Sequence, residues 1–352
     1  MKNLYKITTI KTNKITIKDV AKDIGVSASA VSMAFSGTGN ISQKTRKLIL
    51  DYCKEVGFIP SIQAQTVKKK SIRFAYIISA NPKFVQDKYV EGLKQACTES
   101  GSTHLECDIY EYETTNEHLE VALTKCIEQD YDGIIIAIDI TAEKRHRKLI
   151  EKINQKNIPI VAISTIHDAL KADYTVLNDA KKIGALAADI LHMRGCNEAI
   201  LMRGTVGSAI HDCYTEGFIC ELQRLNVKLI STWLTEDNPE LISSHTKHLL
   251  PTVGSNTGIF LSNCHCSSAA EIFKEAALNP PFVCLDLFKE TEELFEEGRL
   301  TATICQHQTK QGYIAAQKLI EMILTANRPK TPQKIIIGAE IITRGSLLNF
   351  EY

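Results

Sequence analysis

T-I-K-D-V-A-K-D-I-G-V-S-A-S-A-V-S-M-A-F-S, residues 16 to 36, is the stretch on which the fold turns. Thr16 has the side chain to cap a first helix, and Asp19 then sits in its first turn, where the helix dipole favours negative charge. Val20, Ala21 and Ile24 recur at helical spacing and give that helix one apolar face. Gly25 supplies the left-handed residue that ends it. Val26 packs back, and Ser27 caps a second helix. On that helix Val31, Ala34 and Phe35 are expected inside, while Ala28, Ser29, Ser32 and Met33 point outward. Two short helices joined by so tight a glycine turn make a helix-turn-helix, whose second helix fits a DNA major groove. An ordinary helical hairpin shares this outline, so the outline alone decides little.

The wording is more specific. I-x-D-V-A-x-x-x-G-V-S-x-x-x-V-S, followed by G-N-I-S-x-x-T-R at Gly39 to Arg46, closely resembles the DNA-binding head of the lactose-repressor/galactose-repressor family. P-S-I-Q-A-Q-T-V at Pro60 to Val67 resembles the hinge helix of that family. The resemblance is strong over residues 15 to 70 and looser beyond. It implies a repressor with a periplasmic-binding-protein-like effector domain. The positions that address bases in the family are Ala28, Ser29 and Met33 here. None makes the bidentate contact of arginine to guanine. Ala28 and Met33 are expected on thymine methyl groups, and Ser27, Ser32 and Asn40 on phosphates, with Thr16 in the same DNA-binding set. The hinge leucine of the family is Val67, and the arginine two residues before it is Gln65. A shorter wedge should bend the duplex less. Half-sites richer in A·T follow.

With 352 residues, 44% hydrophobic and 23% charged, the chain has the size and composition of a multidomain soluble protein. No run of about 18 apolar residues suggests a membrane span. The lysine-bearing first residues lack an apolar signal core, so a cytoplasmic location is expected. The cysteines number 11, an odd count, with no C-x-x-C pair, which reads as reduced thiols rather than a disulfide framework. The net charge of zero hides an asymmetry. Residues 1–70 hold 13 Lys+Arg against 4 Asp+Glu, a net of +9, so the remainder carries 28 against 37, a net of −9. A basic head on an acidic body suits phosphate binding at one end only.

In chain order, residues 1–14 read as a disordered leader without assigned function. The helix-turn-helix domain covers 15–60, with Ser42 capping a third helix that turns Leu48, Ile49, Tyr52 and Val56 inward. Pro60 opens a hinge segment, 61–70, too short to be a stable helix alone. From Ile72 to the end apolar strands alternate with helices, beginning with I-R-F-A-Y-I-I-S. That is βαβ repetition around parallel sheets. The fold class is therefore an all-α helix-turn-helix head plus an α/β two-lobed body with parallel sheets, 71–352. By the resemblance, lobe one is 71–175 with 306–328, and lobe two is 176–305 with 329–352.

Ligands of such sheets bind beyond the carboxyl ends of the strands. The polar residues there are Asp139, Ser164, Asn263, Asp286 and Gln306. Any one alone is more often a loop cap. Asp286 follows an apolar strand and resembles a ligand-contacting aspartate of the family; Asn263 and Gln306 also match cleft positions. A carboxylate with amides suits vicinal hydroxyls, which is sugar chemistry. The family often has an arginine three residues before Gly217-Phe218, where this chain has Tyr214. No P-loop lysine follows Gly204, no G-x-S-x-G turn exists, and Cys264-His265-Cys266 and His245-x-x-His248 lack a matching second pair. No cofactor, metal or enzymatic activity is expected. The expected partners are double-stranded operator DNA, a small carbohydrate effector and a second copy, as a homodimer or a dimer of dimers. The rival class is a sugar-binding receptor without DNA function.

Overall fold

The computed structural model describes residues 6–12, 17–36, 41–55, 72–80, 82–100, 105–112, 116–138, 140–205 and 207–349. Three helices, α1 (Ile17–Asp23), α2 (Ala28–Ser36) and α3 (Gln43–Glu55), form the head. Gly25 takes φ +68°, and Val26 N–H returns to the Ala21 carbonyl at 2.9 Å, closing the turn. Ser27 Oγ accepts from Ala30 N–H at 3.1 Å and Ser42 Oγ from Thr45 N–H at 3.0 Å, so both caps form. The core is Val20, Ala21, Ala30, Val31, Ala34, Ile49 and Cys53. Four expected inward residues are not in it: Ile24 and Tyr52 pack partly buried against it, while Phe35 is 36% and Leu48 53% exposed, and Val56 lies outside the described residues. On α2 the buried stripe runs through Ala30, Val31 and Ala34, one position before the expected one, and leaves Phe35 at its edge.

The body is two sheets. The first has order β1-β3-β2-β4-β5-β6-β12. Its strands are β1 (Lys6–Thr12), β2 (Ile72–Ser79), β3 (Leu105–Tyr112), β4 (Gly133–Ala137), β5 (Ile160–Ile163), β6 (Tyr174–Asn178) and β12 (Gln333–Ile337). The second has order β13-β11-β10-β9-β7-β8. It comprises β7 (Glu198–Arg203), β8 (Lys228–Leu234), β9 (Thr257–Leu261), β10 (Phe282–Leu285), β11 (Ala302–Cys305) and β13 (Glu340–Ile342). With β1 set aside, the first strand of each lobe (β2, β7) lies second from one side, followed by the third, fourth and fifth. All pairings are parallel except β1 with β3 and β11 with β13. Each sheet is apolar on both faces because each face carries helices. Lobe one is covered by α4 (Lys83–Glu99) and α13 (Gln308–Thr325) on one side, and α5 (Asn116–Glu128) and α7 (Arg147–Gln155) on the other. Lobe two is covered by α8 (Ala180–Met193) and α9 (Ala209–Arg224), and by α10 (Pro239–Leu249), α11 (Cys266–Glu275) and α12 (Lys289–Glu296). The short α6 (Ile140–Arg145) precedes α7.

Three expectations are corrected. Residues 6–12, read as part of a disordered leader, form β1 and pair antiparallel with β3 over seven residues. Residues 333–337, placed with lobe two, form β12 and pair with β6 of lobe one; only β13 of the C-terminal pair joins lobe two. The apolar spacing predicts a helix only over Tyr89 to Ser100; α4 starts six residues earlier, at Lys83, and ends at Glu99. The chain thus crosses between lobes after β6, after β11 and after β12.

Candidate nucleic-acid interface and ligand cleft

On the head, Ser27 and Ser29 are exposed and Ser32 and Met33 half-buried along one side of α2. Ser27 and Ser29 exchange a hydroxyl hydrogen bond at 2.9 Å. Ala28 packs partly against the head core, so only part of it is available outward. Thr16, Asn40, Gln65, Val67 and the hinge segment 61–70 lie outside the described residues, as does Asp139. The side chains exposed at the start of α2 are small, and Arg46 braces the end of this helix by donating to the Ala34 carbonyl at 3.3 Å.

The cleft is built where strands end. Ser164 follows β5 and Asp286 follows β10, equivalent places in the two sheets, and both take the left-handed backbone, φ +69° and +67°. Non-glycine residues held there mark positions the surroundings over-determine. Asp286 is 4% exposed. Its carboxylate accepts from Gln306 N–H at 3.0 Å and from Gln306 Nε2 at 2.8 Å. Burial pushes the Asp286 carboxyl up to about 6, against the lowering effect of hydrogen bonds from Gln308 and Gln306. Tyr214, buried on α9, donates its hydroxyl to Gln306 Oε1 at 2.6 Å. On the lobe-one side Tyr89 OH lies 3.1 Å from Ser164 Oγ. Burial pushes that phenol up to about 12. Asn263 reaches Thr235 Oγ1 at 3.2 Å, and Asp237 accepts from Thr205 Oγ1 at 2.8 Å and pairs with His211 at 3.2 Å. Burial raises the Asp237 carboxyl, but bonding to His211, Thr205 and Asn263 more than offsets it and holds it below its ordinary value.

Behind the cleft the three crossovers are pinned together. Asn178 Nδ2 donates to the Gln306 carbonyl at 3.2 Å and to Ile337 at 2.8 Å, while Gln311 Nε2 donates to Asn178 at 2.7 Å and to Gln306 at 2.9 Å. Each amide therefore ties one crossing strand to another, and Gln306 joins this hinge to Asp286. At the mouth, Phe84 of α4 packs edge-on against Phe288 at 4.5 Å between ring centroids and against His265 at 5.9 Å, joining the lobes.

The described expected residues Ser164, Tyr214, Asn263, Asp286 and Gln306 all lie at strand ends or on helices facing this region, with Tyr214, Gln306 and Asp286 in one bonded chain. Sequence reading missed Tyr89, Phe84, His211, Asp237 and Gln308. Phe84 belongs to the unexpected start of α4, whereas Tyr89 opens the part that spacing predicts; Asp237 follows β8 and carried the same strand-end signal as the others.

Residues 16–61 match the family of bacterial regulatory proteins described as the lacI family, and residues 74–326 match the periplasmic binding protein domain. The chain is 26% identical over 346 residues to the HTH-type transcriptional repressor PurR of Actinobacillus pleuropneumoniae serotype 5b (strain L20), covering 95% of this chain and 98% of that protein. It is 27% identical over 216 residues to the sucrose operon repressor of Staphylococcus xylosus, 60% of this chain and 63% of that one. Similar solved structures include the lac repressor dimer bound to operator and the anti-inducer ONPF, with TM-score 0.65, 18% identity, and coverage of 94% of this chain and 98% of that one. GanP, a glucose-galactose binding protein from Geobacillus stearothermophilus, has TM-score 0.69 and 18% identity, covering 79% of this chain and 99% of that one.

Proposed function

The chain belongs to the lacI family of DNA-binding transcriptional regulators, its body being a periplasmic binding protein domain, and from that membership we propose a cytoplasmic repressor whose grip on its operator is set by a sugar or sugar derivative held between the lobes. The observation that carries the effector class is the chain Tyr214–Gln306–Asp286. A phenol, an amide and a carboxylate in series, with Ser164 and Asn263 nearby, offer alternating donors and acceptors to hydroxyl groups. The same chain ends in the crossover amides, so a ligand that replaces the Tyr214 or Gln306 bond alters the hinge directly. Closure of the lobes about that hinge then changes the placement of the two heads, which is coupling between distinct sites. A homodimer supplies the two heads that a near-palindromic operator requires. A receptor without DNA function leaves the head and its charge unexplained.

The test is a gel shift on genomic fragments with and without a panel of monosaccharides. An active sugar should change duplex affinity by about 5- to 150-fold. Asp286→Ala should keep basal DNA binding and lose that response; an unchanged sugar midpoint in Asp286→Ala would move the site elsewhere. For base readout, selection from random duplexes should return A·T-rich half-sites, with Ala28 and Met33 against thymine methyls. A required major-groove guanine that Met33→Arg leaves unaltered would refute that part.

A further inference from the structure

The seven-residue β1 precedes the head in the chain, yet it pairs along its whole length with β3 of lobe one. Its register with β3 runs from Lys6 opposite Glu111 to Thr12 opposite Leu105. Thr9 Oγ1 donates to Asp108 Oδ1 at 2.7 Å. Asp108 is a buried carboxylate that also accepts from Arg73 at 2.7 Å and from Tyr131 at 2.7 Å. Only residues 13–16 separate β1 from α1 of the head. Leu105 in turn pairs with Ile72, the first residue of β2, so the chain leaves lobe one for the head and re-enters it at the same end of the same sheet. The other end of β1 lies toward the cleft. There Glu111 accepts from Lys83 at 3.2 Å, next to Phe84, which meets lobe two.

We propose that β1 is a displaceable strap, docked as an extra edge strand on β3, that holds the head near lobe one and is released when the head engages DNA. The inference rests on the regulator reading above. Its basis is reach. With β1 docked, five Cα steps separate Thr12 from Ile17, so α1 starts no more than about 18 Å from the sheet. With β1 free, the head is held only through residues 56–71, whose seventeen steps from Glu55 to Ile72 span up to about 60 Å. Half-sites one helical turn apart put two heads about 34 Å from each other on one face of the duplex. The short tether restricts that placement and the long one does not. The docked strand sits at an edge of the sheet, paired with β3 alone. Docking and DNA binding are then reciprocal: each opposes the other to the same degree.

Hydrogen exchange on the full chain, with and without a random-sequence 40-base-pair duplex, reads this directly. Amides of residues 6–12 should exchange faster when DNA is bound; slower or unchanged exchange overturns the strap. Thr9→Pro breaks the ladder without altering charge, so it should tighten duplex binding by about threefold to tenfold, the inverse of the fraction already undocked, with an unchanged salt slope. Ile10→Cys places a thiol opposite the native Cys107. After oxidation with diamide the closed variant should lose at least that much affinity and recover it on reduction. Failure of the pair to close contradicts the docked register, and full DNA binding in the closed form contradicts the strap. Absence of any duplex binding by the wild-type chain would instead count against the regulator reading itself.

Discussion

Asp286 concentrates the chemistry of the cleft in one side chain. Its carboxyl titrates near 6 because it is buried, so the ionised form is penalised in the folded state relative to the ordinary value of 3.8. A folded value above the unfolded one contributes stability below pH 3.8, and that contribution is lost as pH rises through about 6. The size is on the order of 3 kcal/mol, from roughly two units at 1.36 kcal/mol each. Asp286→Asn cannot ionise. Its melting temperature minus that of the wild type should therefore be larger at pH 7.5 than at pH 4.5; an equal difference at both would mean that the carboxylate is not strained in the resting cleft. Asp286 and Gln306 were legible in the sequence because each follows an apolar strand run. Tyr89 and Phe84 were not, since nothing local announces that a helix starting at Lys83 will face the other lobe.

Among the elements, the helix pairs set the distances on which the cleft depends. α8 crosses α9 where Gly184 meets the Tyr214 backbone: a Cβ on Gly184 would stand 2.0 Å from the Tyr214 carbonyl oxygen. α4 crosses α13 in the same way, a Cβ on Gly92 falling 1.8 Å from the Thr309 carbonyl. Backbone cannot give as a side chain does, so Gly184→Ala must push α9 and Tyr214 outward. A loss of about 2–3 kcal/mol in urea unfolding is expected, together with a weakened effector response. Gly254→Ala, with Thr257 Oγ1 at 3.5 Å, is the mild control. A Gly184→Ala chain as stable as that control would contradict the close crossing. The parallel strands and most helices were readable from apolar runs and helical spacing. β1 and β12 were not, because an edge strand is defined by its partner: K-I-T-T-I-K-T carries no sign that β3, a hundred residues away, will accept it.

At the scale of the whole chain, the division of labour is written in charge. The +9 of residues 1–70 faces the −9 of the rest, so the body repels the duplex that the head attracts. The two domains and the two-lobed body were legible from composition, the helix-turn-helix wording and βαβ alternation. The assignment of β12 to lobe one was not, because the order in which the chain crosses between lobes is decided by pairing with β6 rather than by local sequence. A basic head of this kind should hold duplex DNA through its phosphates. The direct test is the affinity of the full chain for a 40-base-pair duplex across salt concentrations, beside the body alone, residues 72–352. Each phosphate neutralised contributes a slope of about −0.9 to log K against log salt, so a slope of about −4 or steeper is expected for the full chain, with no binding by the body. A slope shallower than about −1, or equal binding by the body alone, would contradict it.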